Sequence, residues 1–191
     1  LLQKAIKENK QIESKRNLIN QKVYAESINN VTIPVVVHVV YSNAQNNISD
    51  SRIFSQIQVL NEDFRRTNSD AINTPSQFQS VVADMSINFC LATKDPDGNP
   101  TNGIIRKFTN KSGFSLYDTT IHYNATGGSD AWDADKYLNI WVCNINGGIL
   151  GWAQFPYAGT KETDGVVINH DNFGINLNYS SAYNLGRTTT H

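Results

Sequence analysis

The chain has 191 residues, with 16 Lys and Arg against 17 Asp and Glu, a net charge of -1, and 39% hydrophobic residues. That length allows one domain with its own core, or one domain plus a small extension. The near-neutral charge removes the electrostatic case for nucleic acid or an anionic membrane surface as a partner. The longest apolar run, Ile33–Tyr41, falls far short of the roughly 20 residues that span a bilayer.

Residues 1–30 are rich in Lys, Glu, Gln and Asn and hold neither Gly nor Pro. Their apolar positions, Leu2, Ile6, Ile12, Leu18, Ile19 and Val23, have loose helical spacing and are too few for a core. The expectation is a helical N-terminal extension or the remnant of a prosegment. Leu1-Leu2-Gln3-Lys4 leads into alternating charge, not the apolar core of a signal peptide. With no initiator Met at position 1, the expectation is that upstream sequence was removed or never included.

From residue 31 the pattern changes. The β-branched run Ile33–Tyr41 (IPVVVHVVY) predicts a central strand covered on both faces. A polar turn over 43–47 precedes Ser49 and Asp50, either of which can cap a helix. Ile53, Ile57, Leu60 and Phe64 then repeat at helical spacing, with Arg52, Gln56, Gln58 and Arg66 assigned to the opposite side. A helix of about sixteen residues follows from that spacing. Further strands are expected at Ser86–Ala92, Gly103–Phe108, Tyr137–Cys143, Leu150–Phe155 and Gly165–Asn169. The turn formers of Asp95–Pro100 separate the first two. The polar stretch 109–135 reads as a surface loop.

Cys90 and Cys143 lie in strand-like runs outside any C-x-x-C pair, so buried thiols or one disulfide remain open and a metal role does not. Of the histidines, His38 reads as a buried neutral residue with one hydrogen-bond partner. His122 reads as solvated, and His170 as a surface residue or a support for one that acts. No two histidines stand at i, i+4, so no complete helical metal pair lies in the chain. Gly127-Gly128-Ser129 lacks a partner histidine by sequence and reads as a flexible loop. Asp95, Asp97 and Asn99 lack the downstream Glu of a calcium loop and read as a turn.

Taken in order, several segments resemble the pappalysin family of metzincin metalloproteases. They are Ile33–Tyr41, Gln56–Arg65 (QIQVLNEDFR), Asp95–Ile104, Trp132–Trp141, Leu150–Pro156 (LGWAQFP), Asp164–Ile168 and Gly186–His191 (GRTTTH). The resemblance covers about residues 31–191 and implies an α/β metzincin-like N-terminal subdomain. Its expected sheet is twisted, five-stranded and mostly parallel, with an antiparallel edge strand and backing helices. It also implies a zinc-dependent endopeptidase, secreted, acting on polypeptide substrates.

In that family the segment matching Gly186–His191 opens the active-site helix, which continues as H-E-x-x-H-x-x-G-x-x-H. The resemblance therefore assigns His191 to the first zinc ligand. Two histidines at i and i+4 share a helical face and reach zinc together, while the Glu between them takes a proton from the metal-bound water. That Glu and the remaining ligands fall after His191, so no catalytic residue lies within the chain and these residues alone are expected to be inactive. Leu150, Gly151, Trp152 and Ala153 match the edge strand that pairs with an extended peptide substrate. Members of the family also bind calcium, but no segment here identifies its ligands. The alternative is a non-catalytic secreted peptide-binding module on the same scaffold.

Overall fold

The computed structural model describes residues 30–155, 158–179 and 182–191. Chain contacts divide the protein into Leu1–Val31 and Thr32–His191. The extension expected over 1–30 lies, but for Asn30, outside the described residues.

Strand β1, Val31–Tyr41, is the axis of the sheet. Its residues Val35, Val36, Val37, His38, Val39 and Val40 are all 1% exposed or less, as a β-branched run covered on both faces requires. Each valine withdrawn so completely contributes about 1.5–3 kcal/mol of hydrophobic stabilisation. Alternation along the strand sends Val35, Val37 and Val39 to one core and Val40 to the other.

The first core lies beneath helix α1, Asp50–Phe64. Ser49 caps it, its side chain accepting from the Arg52 N–H at 3.4 Å. Ile53, Val59 and Leu60 are buried, and Ile53 and Leu60 join Val37, Ile140 and Phe173 against the sheet.

The sheet contains β2 (Ile87–Leu91), β3 (Ile104–Phe108), β4 (Leu138–Cys143), β5 (Gly151–Ala153) and β6 (Val166–Asn169), in the order β2–β1–β4–β6–β5 with β3 also paired to β1. β1–β3, β1–β4 and β4–β6 are parallel, and β5 runs antiparallel to β6. Six strands stand where five were expected because β2 and β3 share one edge of β1. The Ala92 N–H donates to Val35 O at 2.8 Å, and the Val37 N–H to Gly103 O at 2.9 Å, so one strand takes over from the other. Gly103 makes the changeover with φ +71, and a Cβ there would stand 2.7 Å from Ala92 N.

The second core overturns the reading of 109–135 as a surface loop. Phe114 and Ile121 are 1% and 0% exposed and pack with Trp141, Cys143, Ile145 and Val167. This segment covers the sheet face opposite α1, with 3-10 turns at Thr119–His122 and Asn124–Thr126. His122, expected in solvent, is buried at 5% exposure and meets Trp141 edge-on at 4.4 Å between ring centroids. The thiols also divide. Both are free, Cys143 is buried, and Cys90 is exposed on edge strand β2.

Candidate functional site

Helix α2, Arg187–Thr190, opens at Gly186, whose φ of +77 turns the chain into the helix. Its position is set from α1. Gln56, 0% exposed, donates from Nε2 to Gly186 O at 2.9 Å. Its Oε1 accepts from the Gly174 N–H at 2.7 Å and the Thr189 hydroxyl at 2.9 Å. About two helical turns further on, Asp63 accepts from Thr190 Oγ1 at 2.7 Å and pairs with Arg187 Nε at 3.0 Å. Arg187 also donates from Nη2 to Asp70 at 2.7 Å, which holds the Asp70 carboxyl down at about 2. These bonds bring His191 out of α2, its N–H on Arg187 O at 3.0 Å.

His191 lies on the rim of a cavity of about 750 Å3. The floor is apolar, from Leu60, Phe64, Ile140 and Ile168, and the edge strand with Leu150, Gly151, Trp152 and Ala153 forms a wall. The structure therefore brings His191 and the four expected substrate-contacting residues to one concavity. They divide by backbone direction. The Asn169 N–H donates to Leu150 O at 2.8 Å and the Gln154 N–H to Gly165 O at 3.2 Å. In an antiparallel ladder the alternate residues then aim their N–H and C=O groups outward. Gly151 and Ala153 thus present the free backbone edge, while Leu150 and Trp152 face their backbones to β6.

His191 is the single zinc-type donor here. Among the described residues no three His, Cys, Asp or Glu side chains converge to hold a metal ion, whereas a catalytic zinc takes three protein ligands. The residues present do not form a zinc centre by themselves.

The other histidines serve elsewhere. His38 donates from Nε2 to Asn139 Oδ1 at 3.1 Å and accepts at Nδ1 from the Ser129 hydroxyl at 2.9 Å. It therefore has two partners where one was expected, and it stacks on Trp141 at 5.1 Å. Burial pushes its pKa down to about 4, fixing the neutral ring. Ser129, read as part of a flexible loop, is pinned at 3% exposure. The order Ser129–His38–Asn139 mimics a nucleophile and its base, yet no substrate reaches groups this buried. His170, at the end of β6, is 6% exposed beside Asp171, and burial lowers its pKa. The Asp95 carboxylate accepts from the N–H groups of Asp97 and Asn99 at 3.0 and 2.8 Å, the expected turn.

Gln56 and Asp63 are the positioning residues that sequence reasoning missed. Gln56 was assigned to the solvent side, but residues 53, 56, 60 and 63 follow the i, i+3, i+7, i+10 face of a helix. That spacing was the available signal.

No family model matches the chain. Two mirolysin structures, one with compound 9 and one of mature Tannerella forsythia mirolysin with a cleaved peptide, each superpose with a TM-score of 0.81 at 51% identity. Each match covers 85% of this chain and 61% of that one. Tannerella forsythia promirolysin matches with a TM-score of 0.82 at 45% identity, over 95% of this chain and 64% of that one. An extracellular metalloprotease of Arthroderma gypseum is 28% identical over 173 residues, 88% of this chain and 47% of that protein. The chain thus spans under two thirds of the mirolysin chains and about half of the curated relative it matches. At 45–51% identity and TM-scores of 0.81–0.82 over 85–95% of its length, the chain resembles mirolysin, a metzincin metalloprotease of the pappalysin family.

Proposed function

We propose that this chain is the N-terminal subdomain of a secreted zinc endopeptidase, with His191 as the first zinc ligand and β5 as the strand that holds the peptide. One observation carries the reading: His191 leaves α2 on the rim of the same cavity that the free edge of β5 walls. A peptide laid along β5 meets the outward N–H and C=O groups of Gly151 and Ala153, which bind main chain without regard to sequence. Gln56 and Asp63 fix the start of the helix from which His191 projects. The remaining zinc donors and the general base are those that the family's motif puts after this histidine. The cleaved peptide in the mirolysin structure and the extracellular designation of the Arthroderma gypseum protein support a secreted, peptide-cutting enzyme.

Full-length protein should contain about one zinc per chain by elemental analysis and should cleave a denatured protein substrate until a chelator is added. Peptide binding with neither zinc nor cleavage would instead identify the non-catalytic module. Residues 1–30 are proposed as prosegment. The wider coverage by promirolysin, 95% of this chain against 85% by the mature form, supports that division. Removing them should raise activity, and unchanged activity would exclude an inhibitory role.

A further inference from the structure

Trp152 and Tyr117 build a second feature on the edge strand, on the side away from the cavity. In β5 the residues directly opposite across the ladder share a face. Gly151 and Ala153 pair with Ile168 and Val166, which line the cavity. Trp152 pairs with Val167 and packs against the cluster that holds Trp141 and Phe114. Its indole therefore lies on the opposite side of the sheet from the cavity.

Tyr117 approaches that indole from the 109–135 segment. The two ring centroids are 6.4 Å apart with an interplanar angle of 68°, yet Tyr117 remains 70% exposed. Its backbone is unusual, with φ +60, in a turn closed by the Asp118 N–H on Ser115 O at 3.0 Å. Glycine or asparagine is the ordinary choice at such a position, and a tyrosine there carries backbone strain. The turn is not loose. Phe114 is stitched to the end of β4, its N–H donating to Asn144 O at 2.9 Å and its O accepting from the Asn146 N–H at 2.8 Å. An exposed ring is thus held at a fixed place beside the edge strand at a conformational cost.

An extended peptide alternates its side chains between the two faces of the sheet it joins. On β5, residues opposite Gly151 and Ala153 point into the cavity and the residue opposite Trp152 points to the Tyr117–Trp152 ledge. We propose that this ledge is a specificity subsite, on the face opposite the cavity, that takes a large apolar or aromatic substrate side chain. The inference rests on the reading of β5 as the peptide-binding strand. Two aromatic rings meeting edge to face offer a third ring both an edge and a face, and no charged group is needed to explain the preference.

The test is cleavage of a peptide series by the full-length enzyme, varying one residue at a time between Ala, Phe and Arg along the bound stretch. Expected is one position where Phe exceeds Ala in kcat/KM by about threefold to tenfold, the range of aromatic contacts. Tyr117→Gly should bring that ratio close to one, and Tyr117→Phe should keep it. Glycine suits the backbone, so thermal stability should not fall in Tyr117→Gly. If it does, Tyr117→Asn replaces it as the ring-less variant. Cleavage with no such position, a ratio unmoved by Tyr117→Gly, or Arg favoured over Phe there overturns the subsite and leaves the peptidase reading standing. Absence of chelator-sensitive cleavage of any peptide overturns both.

Discussion

Gln56→Leu removes the clamp between α1 and α2 while keeping the side chain's approximate volume. In the protein both ends of the Gln56 amide are used, by Gly186 O, the Gly174 N–H and the Thr189 hydroxyl. Gly174 and Gly186 are buried, so leucine leaves one backbone donor and one backbone acceptor without partners. An orphaned buried group costs about 1–3 kcal/mol, giving about 2–6 kcal/mol for the pair. The Thr189 hydroxyl adds little, since that residue is only half-buried and can turn to water. The apolar gain of a buried leucine offsets about 1 kcal/mol, which leaves a net loss of about 1–5 kcal/mol. The loss should concentrate in α2 and the 173–174 turn, because the bonds end there. Urea unfolding measures the total, and hydrogen exchange at the amides of residues 187–191 measures the local part. A midpoint within about 0.5 kcal/mol of the parent, the level of an ordinary surface substitution, together with unchanged exchange would refute the clamp. Gln56→Glu adds a sign test. Only a protonated carboxyl can replace the amide donor to Gly186 O, so folding should raise its pKa. Its stabilising contribution is then present below about pH 4.3 and lost as pH rises through the folded value.

Acid should destabilise the sheet through His38. Burial holds its folded pKa at about 4, below the ordinary 6.5, so its contribution to stability is full above about pH 6.5 and falls by about 3 kcal/mol toward pH 4. His38→Gln should make that slope shallower in urea unfolding followed against pH, with buried His122, also held down to about 4, supplying a remainder, and an equal slope in both proteins would remove His38 as a source. Ala153→Pro deletes an outward N–H without touching the ladder to β6. It should lower kcat/KM about threefold to tenfold, the value of one hydrogen bond, with an unchanged Tm. A change confined to kcat would count against a binding role. A thiol reagent should label Cys90 in the native protein and leave Cys143 unmodified until unfolding, because burial pushes the Cys143 thiol far up and closes access. Peptide mapping after labelling reads this directly.

What could be read from the chain was whatever periodicity records. Strand β1 announces itself because a residue covered on both faces must be apolar at every position, and Val35–Val40 nearly is. Helix α1 was legible from Ile53, Ile57, Leu60 and Phe64, and the edge strand from its position in the motif order. The 109–135 segment has no period. It is buried because Phe114, Ile121 and His122 each reach Trp141 or its neighbours by a separate turn, and no local pattern encodes that. Cys90 looked like Cys143 because both sit in strands, but exposure depends on sheet order, and β2 is an edge.

The candidate site was hidden for a related physical reason. Helix termini leave backbone groups unpaired, and a terminus that packs into a core needs polar partners supplied from inside that core. Gln56 and Asp63 are those partners, so they sit on the buried face of α1 where an amphipathic reading admits only apolar residues. Polar residues on an apolar stripe therefore point to whatever must be docked against it, here the start of α2 and the histidine that follows. The same logic separates His191 from His38. Both are histidines beside apolar residues, but His38 has every ring nitrogen paired within the core, whereas the bonds around His191 hold its helix and leave the residue exposed on the cavity rim.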